Sequence, residues 1–291
     1  MKNNKLKIIA FILVLIVLIL LIILFVIKIT NYSIKDSEYN NVNDNKAYIE
    51  HRDKSHKTVD KLKTVQAKDD NIEQINTYLK NVHFNGSITV LKDGKLMLDK
   101  GYGYQNISSK KKSNANTMYL IGSAQKFTTG LVLKHLELSN KININDPVTK
   151  YLPWFKTNKT ITLKDLMLHR SGLYKFNANP NTKSLDGAVH DIQRRGINSK
   201  YYHKHLYNDA NYLVLAQVIE AVTHHSYVEN YYKLLAEPYH LEHSAFFNEK
   251  PYKKNMTTGY KVKNNKLKTM NPNVLDQYYG AGNLFMSTHD S

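Results

Sequence analysis

An uncharged apolar run near the start of the chain constrains most strongly what this protein can be. Residues 8–27 contain only apolar side chains. As an α-helix rising about 1.5 Å per residue, this run spans roughly 30 Å, the thickness of the hydrocarbon core of a bilayer. It is longer than the core of a usual signal peptide, and no cleavage site of small residues follows it. We therefore predict one uncleaved transmembrane helix, with residues 1–28 as the membrane anchor.

The charges around the anchor predict its orientation. Lys2, Lys5 and Lys7 precede the apolar run, and basic residues favour the cytoplasmic side of a membrane. The rest of the chain is therefore expected outside the cell membrane, on the wall side. The chain has no cysteine, which excludes disulfides, thiolate metal sites and a cysteine nucleophile.

The chain is strongly basic, with 41 Lys and Arg against 24 Asp and Glu and a net charge of +17. A basic domain held at a membrane surface attracts polyanions. Outside the cell these are anionic lipids and phosphate-rich wall polymers, and the compartment argues against nucleic acid as a partner. The alternative is that most of these lysines are solvated and only confer solubility.

Hydrophobic periodicity divides the remainder into a stem over residues 29–70 and a domain over residues 71–291. The stem is rich in Asn, Lys and Asp, without a sustained period. In the domain, alternation around Asp93-Gly94 predicts a β-hairpin. Helical spacing predicts several helices. The predicted elements are a helix over 71–82, strands over 86–91 and 95–104, a loop over 106–116, a helix over 123–139, short helices at Pro147 and over 163–169, and an amphipathic helix over 211–223.

One Ser-x-x-Lys match stands out from the three in the chain. Two lie in the lysine-rich loop and are attributed to chance, whereas Ser123 and Lys126 lie where a strand gives way to an apolar helix. That spacing puts both side chains on one helix face, near the positive end of the helix dipole. Serine becomes a nucleophile when a base takes its proton, and lysine can act as that base if its pKa falls well below about 10.4. The alternative is a helix N-cap serine followed by a surface lysine.

A second candidate cluster opens the amphipathic helix. The hydroxyl of Tyr207 is a candidate proton relay between the nucleophile, Lys126 and the leaving group. Asp209 either caps the helix or pairs with Lys126 and orients it. Pairing would favour the charged lysine and oppose its role as a base, so the sequence leaves both roles open.

Metal and cofactor sites are not predicted. The histidines at 203, 205, 224 and 225 lack the His-x-x-x-His spacing, with a catalytic Glu, of zinc hydrolases. The chain also contains no glycine-rich phosphate loop.

Several segments, taken in order, resemble the class C β-lactamases and penicillin-binding serine hydrolases. This resemblance implies an α/β fold, with an antiparallel sheet flanked by helices and an all-helical lobe. It also implies an acyl-enzyme on Ser123, with Lys126, Tyr207 and Asp209 as catalytic partners. The segments that carry it are Ser123-Ala-Gln-Lys126, Leu168-His-Arg-Ser-Gly-Leu173, Tyr207-Asn-Asp209, Gly280-Ala-Gly-Asn-Leu284, Asn145-Asp-Pro-Val-Thr-Lys-Tyr-Leu-Pro153 and Asn85-Gly-Ser87.

Within that family, three segments are similar to the teichoic acid D-alanine esterases. This similarity implies a serine esterase whose partners are wall and lipoteichoic acids, with β-lactams as a further ligand class. Two alternatives stay open: a low-affinity penicillin-binding protein or D,D-peptidase, and an inactive module that binds teichoic acid. The segments are Ile121-Gly-Ser-Ala-Gln-Lys-Phe127, Tyr151-Leu-Pro-Trp-Phe-Lys156 and Leu275-Asp-Gln-Tyr-Tyr-Gly-Ala-Gly-Asn283.

The sequence departs from the family pattern in two places. The usual second motif is Tyr-x-Asn, and here Asp209 replaces its neutral amide. The third motif, on a later strand with one oxyanion donor, does not occur before Ser291. We therefore expect a fold that is incomplete at its C-terminus and retains only the Ser123 N–H as an oxyanion donor. Loss of one such donor typically costs about 10²–10³ in rate.

Overall fold

The computed structural model describes residues 45–55, 61–270, 272 and 274–291. The predicted anchor over residues 1–28 lies outside these ranges. Within them, no helix combines the length and the apolar character needed to cross a membrane.

A helix lies inside the segment predicted as a stem. Helix α1 (Asn45–Ser55) buries Tyr48 and Ile49, and Asn45 Nδ2 donates to Glu220 Oε1 at 2.7 Å. The guanidinium of Arg52 lies 3.3 Å from the ring centroid of Tyr232. These contacts with the domain stabilise a helix that the polar sequence of the segment did not reveal.

The first sheet and the helix beside it confirm the helix predicted over 71–82 and the hairpin predicted over 86–91 and 95–104, although the second strand ends at residue 102 and a third strand comes from the predicted stem. Helix α2 is capped by Asp69, whose side chain accepts from the backbone N–H groups of Asn71 and Ile72. Asp93 and Gly94 have φ values of 51° and 73°, which suit the two-residue turn of a hairpin. The elements are β1 (Val65–Gln66), α2 (Asp70–Asn81), β2 (Gly86–Lys92) and β3 (Lys95–Tyr102), with strand order β1-β3-β2, all antiparallel.

The remaining strands form separate units, whereas one sheet was expected. A second antiparallel sheet has the order β6-β10-β7, and two further hairpins are β4-β5 and β8-β9. The strands of the second sheet have only two or three residues each, and in the part of the chain described they pair with each other and not with a strand of the first sheet. The bounds are β4 (Tyr104–Asn106), β5 (Lys111–Lys112), β6 (Tyr119–Leu120), β7 (Ser244–Phe246), β8 (Gly259–Lys263), β9 (Lys266–Met270) and β10 (Leu284–Met286).

The predicted helical lobe is present, but its central helix, which was predicted to be amphipathic, has no exposed residue. Helix α7 buries Leu213, Val214 and Leu215 completely and packs against α3, α4, α5, α6 and α8. Each such side chain contributes about 1.5–3 kcal/mol by its burial. The bounds are α3 (Gln125–Leu138), α4 (Val148–Tyr151), α5 (Leu163–Met167), α6 (Leu185–Arg195), α7 (Asp209–Thr223) and α8 (Tyr227–Tyr231), with a π turn at Tyr232–Ala236.

Candidate active site

Ser123 lies between β6 and α3 on a single 3₁₀ turn, Gly122–Ala124. Gly122 has a φ of 55°, a left-handed conformation that glycine adopts without a steric cost and that permits the sharp turn. The Ser123 side chain is exposed. Our prediction placed Ser123 in the first turn of the helix, whereas α3 begins at Gln125 with Ala124 as its N-cap. The N-cap alternative for Ser123 is therefore wrong.

Lys126 lies in the first turn of α3 with only 7% of its side chain exposed. Its Nζ atom contacts three oxygens: Ser123 Oγ at 3.0 Å, Asp209 Oδ1 at 2.7 Å and the Ala281 carbonyl oxygen at 3.0 Å. The alternative of a surface lysine is therefore wrong. Three oxygens match the three N–H donors of an ammonium group.

The same geometry also accommodates a neutral amine. A neutral amine has two N–H donors and one lone pair. Two N–H groups would donate to Asp209 and to the Ala281 carbonyl, and the lone pair would face the Ser123 hydroxyl 3.0 Å away. In that state, Lys126 can accept the proton of Ser123.

Asp209 is the first residue of α7, and Asn208 is the N-cap. The side-chain oxygen of Asn208 accepts from Ala210 N at 3.1 Å, and its Nδ2 donates to the Leu173 carbonyl at 2.9 Å. The proposed capping role of Asp209 is therefore wrong. Capping by Asn208 leaves the Asp209 carboxylate free to pair with Lys126.

Tyr207 reaches the site with its ring. Lys126 Nζ lies 5.2 Å from its ring centroid, within the range of a cation–π contact. The ring lies 4.5 Å from that of His169, and 49% of the residue is exposed. Within the described ranges its hydroxyl forms no hydrogen bond with Ser123 or Lys126, so the predicted relay is not assembled in this conformation.

His169 joins the site, although no role was predicted for it from the sequence. Its Nδ1 lies 3.2 Å from the backbone nitrogen of Asn208 and 2.9 Å from Nδ2 of Asn211. Both partners are donors, so Nδ1 is an acceptor and the ring proton belongs on Nε2. Burial lowers the pKa of His169, and the neighbouring charges of Lys126 and His205 lower it further. The segment 168–173 of the family resemblance contained His169 and was the available signal.

The segment before β10 forms the back of the site. Gln125 Oε1 accepts from the backbone N–H groups of Asn283 at 2.6 Å and Leu284 at 3.1 Å. Thr129 Oγ1 donates to the Gly280 carbonyl at 2.8 Å. These bonds hold the intervening Ala281 carbonyl against Lys126. Within the described ranges, no three His, Asp or Glu side chains group as metal ligands.

The comparison with protein families decides the classification. The beta-lactamase family model matches residues 70–291. The chain belongs to the beta-lactamase family. The predicted family is thereby confirmed, and the serine–lysine pair belongs to a beta-lactamase-family domain.

Relatives within the beta-lactamase family include enzymes of Staphylococcus aureus. A teichoic acid D-alanine hydrolase of that organism is 50% identical over 294 residues, covering 100% of this chain and 74% of the relative. The corresponding protein of strain MRSA252 is 54% identical over 250 residues, covering 86% of this chain and 63% of that protein.

Solved structures agree with the family. The crystal structure of FmtA from Staphylococcus aureus superimposes with a TM-score of 0.83 and 55% identity, covering 85% of this chain and 69% of that chain. A class C beta-lactamase has a TM-score of 0.63 and 16% identity, covering 75% of this chain and 60% of that chain. The second likeness supports the fold alone, and together they confirm the predicted α/β class.

Proposed function

We propose that this chain is a serine esterase that removes D-alanyl esters from teichoic acids. The observation that carries the proposal is the 3.0 Å contact between Ser123 Oγ and Lys126 Nζ, with the serine exposed and the lysine buried. A nucleophile accessible to a polymer and a base shielded from water are what this chemistry needs. A relative 50% identical over the whole chain is named a teichoic acid D-alanine hydrolase.

Acylation starts from the neutral amine of Lys126. The amine takes the proton of Ser123, and Oγ attacks the carbonyl carbon of the D-alanyl ester. The backbone N–H of Ser123 is the proposed donor to the developing oxyanion. When the carbon–oxygen bond to the polymer breaks, Lys126 returns its proton to the polymer oxygen. The products of this step are a polymer hydroxyl and a D-alanyl ester on Ser123.

Deacylation repeats the sequence with water. Lys126 accepts a proton from water, whose oxygen attacks the acyl carbon on Ser123. The bond from that carbon to Oγ breaks, and Oγ regains a proton from Lys126. Free D-alanine leaves, and the enzyme returns to its starting state with atoms and protons balanced.

Asp209 gives a reason to prefer an aminoacyl ester as the substrate. A D-alanyl ester carries a free ammonium group, and a carboxylate favours a cationic ligand. About a third of the Asp209 side chain is exposed beside Lys126, so a bound ammonium group can approach it. An N-acylated peptide has no such charge at its D-alanine nitrogen, so Asp209 favours the ester over a cell-wall peptide.

We also propose that the domain acts on the outer side of the cell membrane. The apolar run over residues 8–27, preceded by lysines, supports a single-pass anchor there. Wall and lipoteichoic acids lie in that compartment.

The test is release of free D-alanine from D-alanylated teichoic acid by the full chain in detergent. We expect Ser123→Ala to abolish release. Ser199→Ala is the control, because Ser199 is an exposed serine outside the active site. Equal release by Ser123→Ala and the parent would refute the mechanism.

The rival activity is acylation by β-lactams or D-Ala-D-Ala peptides. It is supported by the same serine–lysine pair and by membership of the beta-lactamase family. Labelling of Ser123 by a fluorescent penicillin and cleavage of D-Ala-D-Ala peptides, without D-alanine release from the polymer, would favour this rival. Polymer binding without acylation of Ser123 by either substrate would instead favour a binding module.

A further inference from the structure

Two exposed hairpins, β4-β5 and β8-β9, form a surface that carries only positive charge. We call them together the lysine hairpins. Neither segment 104–112 nor segment 259–270 contains an aspartate or a glutamate. All seven of their lysines are exposed, namely Lys110, Lys111, Lys112, Lys261, Lys263, Lys266 and Lys268.

The register of β8-β9 places like charges directly opposite each other. Lys261 pairs with Lys268, and Lys263 pairs with Lys266. Because residues two apart on a strand share a face, all four ammonium groups project from one side of the hairpin. Like charges in such positions are destabilising, and no acidic side chain among the described residues forms an ion pair with any of the four. An anionic partner would relieve this repulsion.

The spacing of these lysines suits a linear polyanion better than a single small anion. Residues two apart on a strand are about 7 Å apart, and directly opposed residues are about 5 Å apart. Four cations therefore form a short ladder on which successive phosphates of one chain can each meet an ammonium group. Phosphate contacts of this kind position a polymer without reading any sequence.

Hydrogen bonds join the two hairpins to each other. The backbone N–H of Ile107 donates to the Tyr260 hydroxyl at 2.9 Å. Asn106 Nδ2 donates to Thr258 Oγ1 at 2.9 Å, and Thr258 N donates to the Gln105 carbonyl at 3.1 Å. The two hairpins are therefore held directly against each other.

The lysine hairpins also connect to the strand that leads into the active site. Met118 N donates to the Asn255 carbonyl at 2.8 Å, and Thr257 N donates to the Met118 carbonyl at 2.9 Å. Met118 directly precedes β6, and Ser123 follows β6 after two residues. From this contact, the segment that contains Met118 continues through β6 to Ser123, and the segment that contains Thr257 continues into β8.

We propose that the lysine hairpins are a docking surface for a polymer of repeating phosphodiesters and that they retain it while its esters are hydrolysed at Ser123. The identity of the polymer as a teichoic acid rests on the proposed function. A membrane surface is the competing occupant, because Val262 and Leu267 are exposed on the other face of β8-β9. The lysine ladder itself matches a chain of phosphates, and the vesicle measurement below distinguishes the two.

The experiment measures the affinity of the full chain, in detergent, for poly(glycerol phosphate) that carries no D-alanine. The test variant combines Lys261→Gln, Lys263→Gln, Lys266→Gln and Lys268→Gln. The control removes the same charge from exposed lysines on other elements and combines Lys92→Gln, Lys95→Gln, Lys156→Gln and Lys159→Gln. We expect the test variant to bind about tenfold or more weakly at low salt and to depend less on salt, while the control changes less than threefold.

Equal losses in the test and control variants would overturn the proposal, since binding would then follow net charge alone. The proposal would also be overturned if the test variant lost binding to phosphatidylglycerol vesicles and still bound the polymer as tightly as the parent. Thermal melting checks folding, and Lys261→Gln with Lys268→Gln alone provides a milder variant that we expect to weaken binding severalfold. Because the probe carries no D-alanyl ester, failure of D-alanine release refutes the proposed function and leaves this measurement intact.

Discussion

Lys126 Nζ and Asp209 Oδ1 lie 2.7 Å apart, and this ion pair positions the lysine that also contacts the Ser123 hydroxyl at 3.0 Å. About a third of the Asp209 side chain is exposed, so the same carboxylate is accessible to the ammonium group of a D-alanyl ester. Asp209 therefore orients the base and offers a counter-charge to the substrate.

Replacing the carboxylate by an amide separates these two effects. Asp209→Asn retains a side-chain oxygen for the Lys126 hydrogen bond and removes the negative charge. We expect KM for the D-alanylated polymer to rise about tenfold, because the ammonium group of the substrate loses its counter-charge, while kcat changes less because Lys126 Nζ keeps its hydrogen bond. Asp186→Asn, in the first turn of α6, is the control. An unchanged KM in Asp209→Asn would contradict the role given to the carboxylate.

Substitution of Lys126 by arginine tests whether a base is required or only a positive charge. Arginine stays protonated at accessible pH, so Lys126→Arg retains the charge without the base. We expect the acylation rate of Ser123 to fall by about 10²–10⁴, measured by mass spectrometry of the acyl-enzyme. Lys134→Arg, on the exposed side of the same helix, should leave the rate unchanged. Activity above a tenth of the parent in Lys126→Arg would refute the base assignment.

The ring and the hydroxyl of Tyr207 make separable contributions. Tyr207→Phe retains the ring contacts with Lys126 and His169 and removes the hydroxyl. If the hydroxyl becomes the proton relay when substrate binds, kcat falls about 10²-fold or more while KM changes little. Tyr207→Ala removes the ring as well and should also raise KM. A Phe variant as active as the parent would assign Tyr207 to the ring contacts alone.

Gly280 precedes Ala281, whose carbonyl oxygen contacts Lys126. The backbone at Gly280 leaves no room for a Cβ atom. Its φ is 82°, and a Cβ built there lies 2.8 Å from the Ala216 Cβ. We expect Gly280→Ala to lower the free energy of unfolding by about 2–5 kcal/mol, combining backbone strain and overpacking. Gly94 has a φ of 73°, and a Cβ built there has no atom within 4 Å. Gly94→Ala should therefore lower the free energy of unfolding by only about 1–2 kcal/mol, from backbone strain alone. Equal losses in urea unfolding would show that packing at Gly280 contributes nothing.

Local patterns predicted much of the fold, because the relevant interactions are short in sequence. The β2-β3 hairpin follows from Asp93-Gly94 between alternating strands. Helix α7 follows from an apolar stripe on a segment of helical length. The pairing of Ser123 with Lys126 follows from a spacing of three residues near a helix start.

Other features depend on contacts between distant segments and left no local pattern. Helix α1 forms because Arg52 and its neighbours pack on a surface more than 170 residues away. The contact of the Ala281 carbonyl with Lys126 joins positions 155 residues apart. The position of His169 depends on Asn208 and Asn211, which a short motif cannot place in three dimensions.

His169 gives the domain a pH dependence of stability that arises beside the active site. Burial, followed by the charges of Lys126 and His205, lowers its pKa below the unfolded value of about 6.5, while Asp209 opposes the shift. Between the two pKa values the unfolded chain binds more protons, so the free energy of unfolding falls as the pH decreases below about 6.5. At neutral pH and above, this contribution is fully present.

A substitution that preserves the acceptor without the titration tests this origin. His169→Asn offers an amide oxygen to Asn208 N and Asn211 Nδ2, and asparagine tolerates the φ of 54° at this position. We expect the variant to melt at a lower temperature at pH 7.5, because it loses the ring packing, and to lose less stability than the parent between pH 7.5 and 5. His83→Asn, an exposed histidine with φ of 52°, should keep the parent slope. An unchanged slope in His169→Asn would assign the acid sensitivity to other groups, since no proton could then be taken up at position 169.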